Sequence, residues 1–541
     1  MISRRKFVKH SMQAAAGSSL LLSALQSCTT PSAYPSNLVG PNAQLGHMLR
    51  TGKFDAPSES SSADVVIIGG GISGLSAARY LKKYTGNFIL LELDNDTGGN
   101  AMAGSNAISA YPWGAHYLPL PGNNDPELIA FLQKANVITG FENGLPVYNE
   151  YHLCFDPKER LYINNFWQEG LTPREGVPEK DRQEIERFLA LMHDYKDQRG
   201  SDGREAFAIP VDHSSQDKKY RVLDSISMEE FLAQNKFTSP YLRWYVNYCC
   251  ADDFGSSLAD TSAWAGIHYF ASRKGKAANA SSDTMLTWPE GNYWLVKQLR
   301  KDVVSQIKNN TLVYSVETTA TGVSVLYFDA ATNKTKQITA HAAVLATPQF
   351  INQRLLKPSL NRALDYTAFQ YAPWMVANIT LDATLEERKG EKLCWDNVIY
   401  GSDSLGYVNA THQQIGFHGN QNVVTYYKPL LGSDIKKLRE QAYRATIEDW
   451  KTTTLQDLRR PHKDIEHYIK QFDAWVWGHG MIKPSPGFIT GETRLQAAVP
   501  VEDKIYFAHS DMSGVSIFEE AFYRGHTAIR RILERDLFKI S

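Results

Sequence analysis

Short apolar runs, separated by a glycine-rich turn and a helix-like stretch, mark the first ordered part of this chain. Residues 64–68 (DVVII) are apolar and β-branched after the leading aspartate, which is typical of a strand buried on both faces. The stretch LSAARYLKKY begins directly after Gly74 and has a helical pattern, and a second apolar run, FILLE, ends at Glu92. This order predicts a strand, a glycine turn, a helix and a second strand.

Similar patterns return in the middle and at the end of the chain. They predict a helix in YWLVKQLRKDV after Asn292, strands at residues 311–316, 343–348 and 504–508, and a final helix in FEEAFYRGHTAIRRIL from Phe518. The stretches between them, about 120–284 and 350–495, carry little recognisable pattern. We therefore expect one unit assembled from separated segments and a second unit built from the intervening ones.

Composition and charge exclude several classes of protein. The 541 residues include 57 Lys and Arg against 58 Asp and Glu, with 43% hydrophobic residues, as in ordinary globular proteins. A net charge of −1 argues against a general nucleic-acid binder, which would show a basic excess. The five cysteines form no CxxC pair and no histidine lies at zinc-finger spacing, so no metal site is expected.

The first residues have the pattern of an export signal. Arg4 and Arg5 precede Phe7, and an apolar stretch too short for a comfortable transmembrane helix runs to Leu25. This resembles a twin-arginine (Tat) signal; the alternative is a basic start that happens to precede a helix. Leu25 to Cys28 resembles a bacterial lipobox, which implies anchoring to a membrane through Cys28.

The glycine turn at residues 69–74 (GGGISG) has the mechanics of a dinucleotide site. Gly69 permits the tight turn, Gly71 lets the backbone approach a pyrophosphate, and Gly74 lets the helix pack closely on the strand. The helix N-terminus offers unpaired N–H groups to the phosphates. Glu92, eighteen positions beyond Gly74, suits the hydroxyls of a ribose and argues against a 2′-phosphate, hence against NADP.

A second glycine pair, Gly98 and Gly99, follows the acid in the sequence TGGN. With the first fingerprint it resembles the FAD-binding flavin amine oxidase and phytoene desaturase superfamily. That family usually carries arginine where this chain has Asn100, which removes a charge near the pyrophosphate. The resemblance implies an α/β fold with a Rossmann-type FAD-binding domain of discontinuous segments and an α+β substrate domain.

The resemblance also extends to the segments WGAHY, TLVYSV, AVLATP and HSD, and to the last helix. In the family, the first of these segments lies beside the flavin ring and the second brackets the adenine. The third forms the strand and turn that close the cofactor domain, and the acid of the fourth binds the ribityl chain. It assigns FAD contacts to Gly69, Gly71, Ser73, Gly74, Glu92, Gly98, Gly99, Asn100, Trp113, Gly114, Ala115, His116, Val316, Ala346, Ser510, Asp511 and Phe518. A helix N-terminus near the flavin would stabilise the anionic reduced ring.

In the predicted substrate domain, the chain departs from the residues that are usual in flavin amine oxidases. The strand YAPWMVANITL lacks the lysine that the family holds near the flavin, with Val376 to Asn378 in its place. The two aromatic residues that flank the flavin in the family would fall near Lys483 and Ile517. Candidate catalytic residues are His116, Trp477 and His479, although core or structural roles fit each of them about as well.

The predicted organisation is a signal at 1–28, a linker at 29–62, an FAD-binding domain at 63–119, 285–349 and 496–541, and a substrate domain at 120–284 and 350–495. The first functional hypothesis is an FAD-dependent oxidoreductase that transfers a hydride equivalent from a C–N or C–C bond of a small or amphipathic substrate. The alternatives are a polyene or lipid desaturase or isomerase, and a flavin-binding scaffold without turnover. The expected location is periplasmic or extracytoplasmic, reached through the Tat machinery.

Overall fold

The computed structural model describes residues 34–357, 360, 362–385, 389–415 and 419–535. Its α-helices are α1 (Ala43–Thr51), α2 (Ile72–Leu81), α3 (Pro126–Lys134), α4 (Glu179–Asp197), α5 (Lys218–Arg221), α6 (Met228–Gln234), α7 (Pro240–Phe254), α8 (Ala263–Ala271), α9 (Tyr293–Arg300), α10 (Gln349–Leu355), α11 (Ile435–Arg444), α12 (Ile447–Leu458), α13 (Glu492–Ala497) and α14 (Phe518–Leu533). Its strands are β1 (Ser36–Val39), β2 (Glu59–Ile68), β3 (Phe88–Leu91), β4 (Ala103–Ser105), β5 (Ala110–Pro112), β6 (Tyr117–Pro119), β7 (Ile138–Glu142), β8 (Leu145–Tyr148), β9 (Glu159–Ile163), β10 (Phe166–Glu169), β11 (Met285–Thr287), β12 (Ile307–Lys308), β13 (Thr311–Thr318), β14 (Val323–Asp329), β15 (Lys334–Leu345), β16 (Tyr371–Leu381), β17 (Asp396–Ile399), β18 (Tyr407–Asn409), β19 (Asn422–Pro429), β20 (Ile469–Ile482) and β21 (Ile505–Phe507).

A seven-stranded sheet carries the glycine turn. Its order is β12-β3-β2-β15-β14-β13, and β21 pairs with the end of β15. The strands β12, β3, β2, β15 and β21 run parallel, so their carboxyl ends meet at one edge. Val65, Ile67 and Leu90 are fully buried between the helices on either face, as their β-branched and aliphatic side chains require. This is the Rossmann-like arrangement expected from the first apolar runs.

The second sheet has eight strands in the order β1-β20-β16-β19-β18-β17-β9-β10. The long strands β20 and β16 pair antiparallel next to the edge strand β1, and every residue of β16 is buried. A separate apolar cluster forms among α4, α6, α7 and α8, with Phe188, Phe254 and Trp264 at its core. Together the two sheets and these helices form a mixed α/β molecule of two-sheet architecture.

The segment expected to be a linker is built into the fold. Within 29–62 the structure describes residues 34–62, and these form β1, α1 and the start of β2. Strand β1 pairs in parallel with β20, with Ser36 opposite Phe472. The Asn42 side chain caps α1 at Leu45, and its backbone N–H donates to Asp94 Oδ1 at 2.6 Å. The described prolines of this segment lie between its elements, whereas the serines at 60–62 belong to β2.

Two further points concern the predicted signal and membrane-spanning helices. The predicted signal, with Arg4, Arg5 and Cys28, lies outside the described residues. In the part that the structure describes, no helix is long and apolar enough to cross a bilayer.

Candidate active site

The glycine turn between β2 and α2 has the geometry that its spacing predicts. Gly69 has a φ of +101°, and a Cβ there would lie 2.7 Å from the carbonyl oxygen of Ala346. At Gly74 a Cβ would lie 1.9 Å from the Gly69 carbonyl oxygen, so only glycine lets α2 pack this closely on the turn. At Gly71 a Cβ would meet nothing within 4 Å, because that position opens into a cleft.

Glu92 closes the far end of this cleft, directly after β3. One carboxylate oxygen accepts the backbone N–H of Gly70 at 2.5 Å, and the other accepts that of Asp94 at 2.8 Å. Burial raises the pKa of the carboxyl group to about 7. The side chain thus lies where a ribose would sit beside the glycine turn.

The cleft continues from Glu92 along the carboxyl edge of the sheet to the start of α14. Of the predicted cofactor contacts, it is lined by Gly69, Gly71, Ser73, Glu92, Gly98, Gly99, Asn100, Ala115, Ala346, Ser510, Asp511 and Phe518. Val316 was expected to contact the adenine, and this expectation was wrong: its side chain is fully buried in the core. A bulge between Val313 and Ser315 shifts the register of β13, and Val313 faces the cleft instead.

Asp511 holds the middle of the cleft. Its Oδ2 accepts the backbone N–H of Gln349 at 2.9 Å and the hydroxyl of Tyr371. Its Oδ1 lies 2.9 Å from Nδ1 of His509, yet it is buried and accepts no hydrogen bond within the described residues. A buried acceptor without a donor is costly, which suits an aspartate that receives a hydroxyl of a bound ligand.

The N-terminus of α14 lies where the cleft meets a second cavity. Its cap residue, Ile517, provides no side-chain hydrogen bond, so the first-turn N–H groups of this 16-residue helix are free of a side-chain cap. Asn100, Ala115, Asn292, Gly480, Ser516, Ile517 and Phe518 line both spaces. The buried Asn292 Oδ1 has no hydrogen-bond partner in the described part of the chain. This junction is the position at which a ligand in the cleft would present its reactive end.

The second cavity, of about 140 Å³, is walled by aromatic and aliphatic side chains. Trp374, Val376, Tyr427 and Trp477 project from the eight-stranded sheet, and His116 comes from the segment before β6. The Tyr427 hydroxyl donates to the Gly114 carbonyl at 3.0 Å, and the Trp477 indole donates to the Trp113 carbonyl at 2.6 Å. These bonds join the eight-stranded sheet to the segment between β5 and β6 at the cavity wall.

One end of this cavity is acidic. Three carboxyl groups and one guanidinium line it: Asp252, Asp253, Glu519 and Arg273. Arg273 donates to Asp253 at 2.6 Å, which leaves the other two carboxyl groups without a paired cation. Tyr117 donates to Asp252 Oδ2 at 3.1 Å. Burial raises the pKa of both Asp252 and Glu519 to about 7.

His116 lies flat against Tyr427, with ring centroids 4.5 Å apart and an interplanar angle of 28°. Burial lowers the pKa of the imidazole to about 4, so the ring is neutral near pH 7. His116 lines the substrate cavity and not the cofactor cleft, so the flavin contact and the catalytic role expected of it both stay predictions. Trp477 also lines this cavity.

Two of the predicted substrate-side positions differ in the structure. His479 faces the cofactor cleft, stacked on Phe350 at 4.1 Å, and does not line the substrate cavity. Burial and nearby arginines lower the pKa of this imidazole to about 3. Lys483, expected near one of the flanking aromatic positions, is buried and points to Asp260 at 3.7 Å. Trp113 packs on Trp475 outside the cleft, with only its carbonyl turned toward Trp477.

The acidic end of the cavity was missed by sequence reasoning. Asp252 and Asp253 come from the end of α7, Arg273 follows α8 and Glu519 begins α14, so their proximity has no local signature. The pair of adjacent acids after an aromatic stretch was the only available signal. Among the described residues, no group of three or more His, Cys, Asp or Glu side chains is arranged to hold a metal ion.

Fold and site together define a class of protein with a Rossmann-like dinucleotide-binding unit and a second sheet that encloses a cavity at the end of its cleft. Residues 67–135 match the model of the NAD(P)-binding Rossmann-like domain family. No curated protein sequence matches the chain.

Solved structures resemble the whole described fold. Wild-type putrescine oxidase bound to putrescine matches with a TM-score of 0.63 at 15% identity, over 88% of this chain and 100% of that one. Cyclohexylamine oxidase from Brevibacterium oxydans IH-35A matches with a TM-score of 0.61 at 15% identity, over 87% and 99%. A CLA-producing fatty acid isomerase from P. acnes matches with a TM-score of 0.57 at 14% identity, over 87% and 98%. At these identities the likeness establishes the shared fold.

Proposed function

We propose that this chain is an FAD-dependent oxidoreductase that oxidises a small amine at its carbon–nitrogen bond. The observation that carries the proposal is the excess of carboxyl groups in a cavity that opens onto the end of the dinucleotide cleft. A cavity of this charge favours a cationic ligand, and an amine is a cation near neutral pH. Two of the solved structures with this fold are named as oxidases of amines.

The residues of the cleft fit FAD. Gly71 leaves room for a pyrophosphate beside the N-terminus of α2, and Glu92 lies at the ribose position. The free Oδ1 of Asp511 offers an acceptor to a ribityl hydroxyl, and the uncapped start of α14 lies at the reactive end. Asn100, which stands where the related family has arginine, instead donates through its amide to the Gly480 carbonyl and ties the two sheets together.

Bound flavin would supply the acceptor for a hydride equivalent from the carbon next to nitrogen. The protein must first take a proton from the substrate ammonium, because only the free amine has the lone pair that stabilises the developing imine. Asp252 suits this step: its pKa of about 7 lets it be a carboxylate that accepts the proton at physiological pH. The imine product then adds water and separates into a carbonyl compound and ammonia, or an amine where the substrate nitrogen carries a second carbon.

The aromatic walls orient the substrate and exclude water. Tyr427 and Trp477 are held by hydrogen bonds to backbone carbonyls, so their rings form rigid faces beside the junction. The neutral imidazole of His116 can accept a hydrogen bond from the substrate nitrogen without competing for the positive charge.

The same charge pattern weighs against the lipid alternative. A fatty acid needs a free cation for its carboxylate, and the one guanidinium in the cavity wall is already paired with Asp253 at 2.6 Å. A scaffold without turnover would have no need for two unpaired carboxyl groups beside the cofactor's reactive end, since each costs free energy to bury.

The test is an anaerobic absorbance spectrum of the purified flavoprotein during addition of a panel of amines. We expect the oxidised flavin bands to disappear with one class of amine. A spectrum that stays yellow with every amine but bleaches with a fatty acid or polyene would transfer the assignment to lipid oxidation. A flavin that no substrate of either class reduces would support the scaffold.

A variant that removes one carboxylate tests whether bleaching of the flavin by an amine depends on the cavity. Asp252→Asn keeps the shape of the side chain, and we expect it to slow the anaerobic bleaching by at least 10-fold. Asp194→Asn on the exposed face of α4 is the matched control and should leave the rate unchanged. Equal rates in both variants would exclude Asp252 as the proton acceptor.

We also propose that the protein works outside the cytoplasm. The paired Arg4 and Arg5 support export by the Tat machinery, which carries folded proteins and would suit a chain that must bind its cofactor first. Cys28 supports attachment to a membrane.

A further inference from the structure

A third cavity, of about 390 Å³, shares no lining residue with the cofactor cleft or the substrate cavity. Its walls come from the segment 204–221, from residues 489–498 and from the outer face of α14. Five arginines line it against one carboxylate, and these charged residues are Arg204, Arg221, Arg494, Arg524, Arg531 and Asp212. We call this space the arginine pocket.

Two of these guanidinium groups form the floor of the arginine pocket. Arg494 and Arg524 are 6% and 5% exposed, which is rare for arginine without a carboxylate for each. Arg524 donates to Asp212 at 2.7 Å, whereas the nearest Arg494 nitrogen is 3.9 Å from the same carboxylate. Asp212 is the one carboxylate that lines the pocket beside these two buried cations.

Backbone and hydroxyl acceptors use only part of the donor capacity of this pair. Arg524 Nε donates to Ser513 Oγ at 2.8 Å and Nη2 to the Met512 carbonyl at 2.9 Å, while Arg494 uses Nε and Nη1 on the carbonyls of Ile489 and Met512. No acceptor in the described part of the chain receives a hydrogen bond from Nη2 of Arg494 or Nη1 of Arg524. An arginine has five N–H donors in a planar fork, so each keeps donors for a ligand.

Two further acids, Glu520 and Asp224, lie near Arg494 but do not line the arginine pocket. Glu520 accepts the backbone N–H of Val211 at 2.6 Å, and Asp224 accepts that of Thr490 at 2.8 Å. Burial raises the pKa of Glu520 to about 7, which reduces its negative charge further. Burial and neighbouring Arg524 lower the pKa of Arg494 to about 10, although Asp212, Glu520 and Asp224 act in the opposite direction.

We propose that the arginine pocket is a binding site for a phosphate-type oxyanion, held between the guanidinium groups of Arg494 and Arg524 and attracted by the rim arginines Arg204, Arg221 and Arg531. Paired planar guanidinium groups match the geometry of a phosphate and bind it through parallel N–H donors. The ligand is either a phosphorylated small molecule or the headgroup of an anionic lipid, which share this chemistry.

The site is connected to the cofactor cleft through a short loop. Arg494 and Arg524 both donate to the Met512 carbonyl, and Met512 directly follows Asp511, which lines the cleft. An anion that fixes the two guanidinium groups also fixes this loop in its cofactor-binding position. By linkage, an anion that strengthens cofactor binding is itself bound more tightly by the holoprotein.

The first test is a calorimetric titration of the flavin-loaded protein with inorganic phosphate at constant ionic strength. We expect saturable binding of one phosphate per chain, and the rim variant Arg204→Gln/Arg221→Gln should weaken it at least 5-fold. This variant changes exposed side chains and leaves the buried pair intact. Arg182→Gln/Arg459→Gln, which removes the same charge from exposed ion pairs elsewhere, should bind phosphate like the parent chain.

Vesicles distinguish the two sources of the phosphate group. Binding to phosphatidylglycerol vesicles but not to phosphatidylcholine vesicles, with the same loss in the rim variant, would assign the site to a lipid headgroup. Saturable binding of free phosphate without vesicle binding would assign it to a small molecule. If neither probe binds, or if the rim variant and the control bind either probe equally, the proposal is wrong.

A second measurement follows the connection to the cofactor. Saturating phosphate should slow flavin release from the diluted holoprotein at least 3-fold, measured by the rise of free flavin fluorescence. Arg524→Lys keeps the positive charge but removes the planar set of guanidinium N–H donors. In a folded variant we expect the effect of phosphate on flavin release to disappear. The absence of any phosphate effect in the parent chain would contradict the connection through Met512.

Discussion

Gly71 and Gly74 stand three positions apart and use the lack of a side chain in opposite ways. At Gly74 a Cβ would overlap the Gly69 carbonyl, so the glycine permits close packing of helix on strand. At Gly71 a Cβ would enter open space that belongs to the cleft. One residue therefore serves the fold, whereas the other serves the ligand.

This difference makes Gly71→Val a clean test of the cofactor site. The backbone at Gly71 has a φ of −71°, which valine adopts without strain, so the apoprotein should keep its melting temperature within about 2 °C. The new side chain would occupy the approach of the pyrophosphate, and we expect the purified variant to be colourless. The measurement is the flavin absorbance per chain after purification.

Gly140→Val is the matched control for that variant. Gly140 lies in β7, has no positive φ, and a Cβ there also meets nothing within 4 Å, but it does not line the cleft. This chain should remain yellow. A Gly71→Val protein that binds as much flavin as the control would disprove the position of the pyrophosphate.

The carboxyl of Asp252 also predicts a pH dependence. Because burial raises its pKa to about 7, the fraction able to accept a proton increases as the pH rises through 7. We therefore expect kcat/KM for the amine to rise about tenfold per pH unit below 6 and to level off above 8. A pH profile of the parent chain and of Asp252→Asn tests this.

Glu519 is the internal comparison, since burial raises its pKa to about 7 as well. In Glu519→Gln the rising limb should persist at a lower overall rate, because the proton acceptor is retained. If the rise of kcat/KM with pH disappears in Glu519→Gln and stays in Asp252→Asn, then Glu519 and not Asp252 is the proton acceptor.

At the scale of elements, the crossing of α2 and α14 fixes the cofactor cleft. Gly525 of α14 lies against α2, where a Cβ would be 2.2 Å from the Ser73 carbonyl oxygen and 2.7 Å from Cβ of Ser76. The hydroxyl of Ser76 donates to the Phe522 carbonyl at 2.7 Å across the same contact. Small residues thus let α2 and α14 pack closely. The N-termini of these two helices lie at the two ends of the cleft.

Gly525→Ala should destabilise the protein although alanine favours helices. Alanine in a helix interior is worth about 1 kcal/mol over glycine. Here the methyl group would separate α2 from α14, and overpacking of this kind costs about 1–3 kcal/mol. We expect a net loss of up to about 2 kcal/mol in the free energy of unfolding, measured by urea denaturation of the apoprotein.

Gly46→Ala in α1 provides the comparison. Its new methyl group would meet only Leu93 Cδ2 at 3.4 Å, so we expect a neutral change or a gain of up to about 1 kcal/mol. A gain in Gly525→Ala as well would show that α2 and α14 can separate at little cost.

The elements that sequence alone could predict are those set by local order. Strand β2, helix α2, strand β3 and helix α14 follow from apolar runs and glycine spacing, and the predicted final helix has the same bounds as Phe518–Leu533. The same method failed at β13, where Val313 rather than Val316 lines the cleft and a bulge between Val313 and Ser315 interrupts the regular alternation. It also failed at His479, because the ladder between β16 and β20 is irregular between the Trp374–Trp477 pair and the Ala372–Met481 pair.

The substrate cavity could not be predicted for a different reason. Its charged end gathers side chains from α7, from the turn after α8 and from the first turn of α14, and its walls come from the second sheet. Such proximity depends on how the two sheets meet, and no periodicity within one segment encodes that. Of the candidates chosen from the sequence, His116 and Trp477 line this cavity.

At the scale of the whole molecule, the proposed export makes a prediction of its own. Arg4→Lys/Arg5→Lys keeps the positive charge but removes the arginine pair of the Tat-type signal. We expect this protein to accumulate in the cytoplasm, folded and yellow, as measured by cell fractionation and flavin absorbance. Lys6→Arg is the control, since it leaves the pair in place, and it should be exported like the parent. Equal export of all three chains would remove the Tat assignment.

The position of strand β1 limits how far the folded protein could lie from a lipid attached to Cys28. Only seven residues lie between Cys28 and Ser36, where the chain joins the eight-stranded sheet beside β20. Fully extended, the chain from Cys28 to Ser36 reaches roughly 28 Å, whereas a free segment up to residue 62 would reach more than about 100 Å. The exposed Leu38 and Val39 lie on that same edge. A lipidated chain would therefore be held with one fixed face toward the bilayer, and amines would reach it mainly from the water layer just above the lipid headgroups.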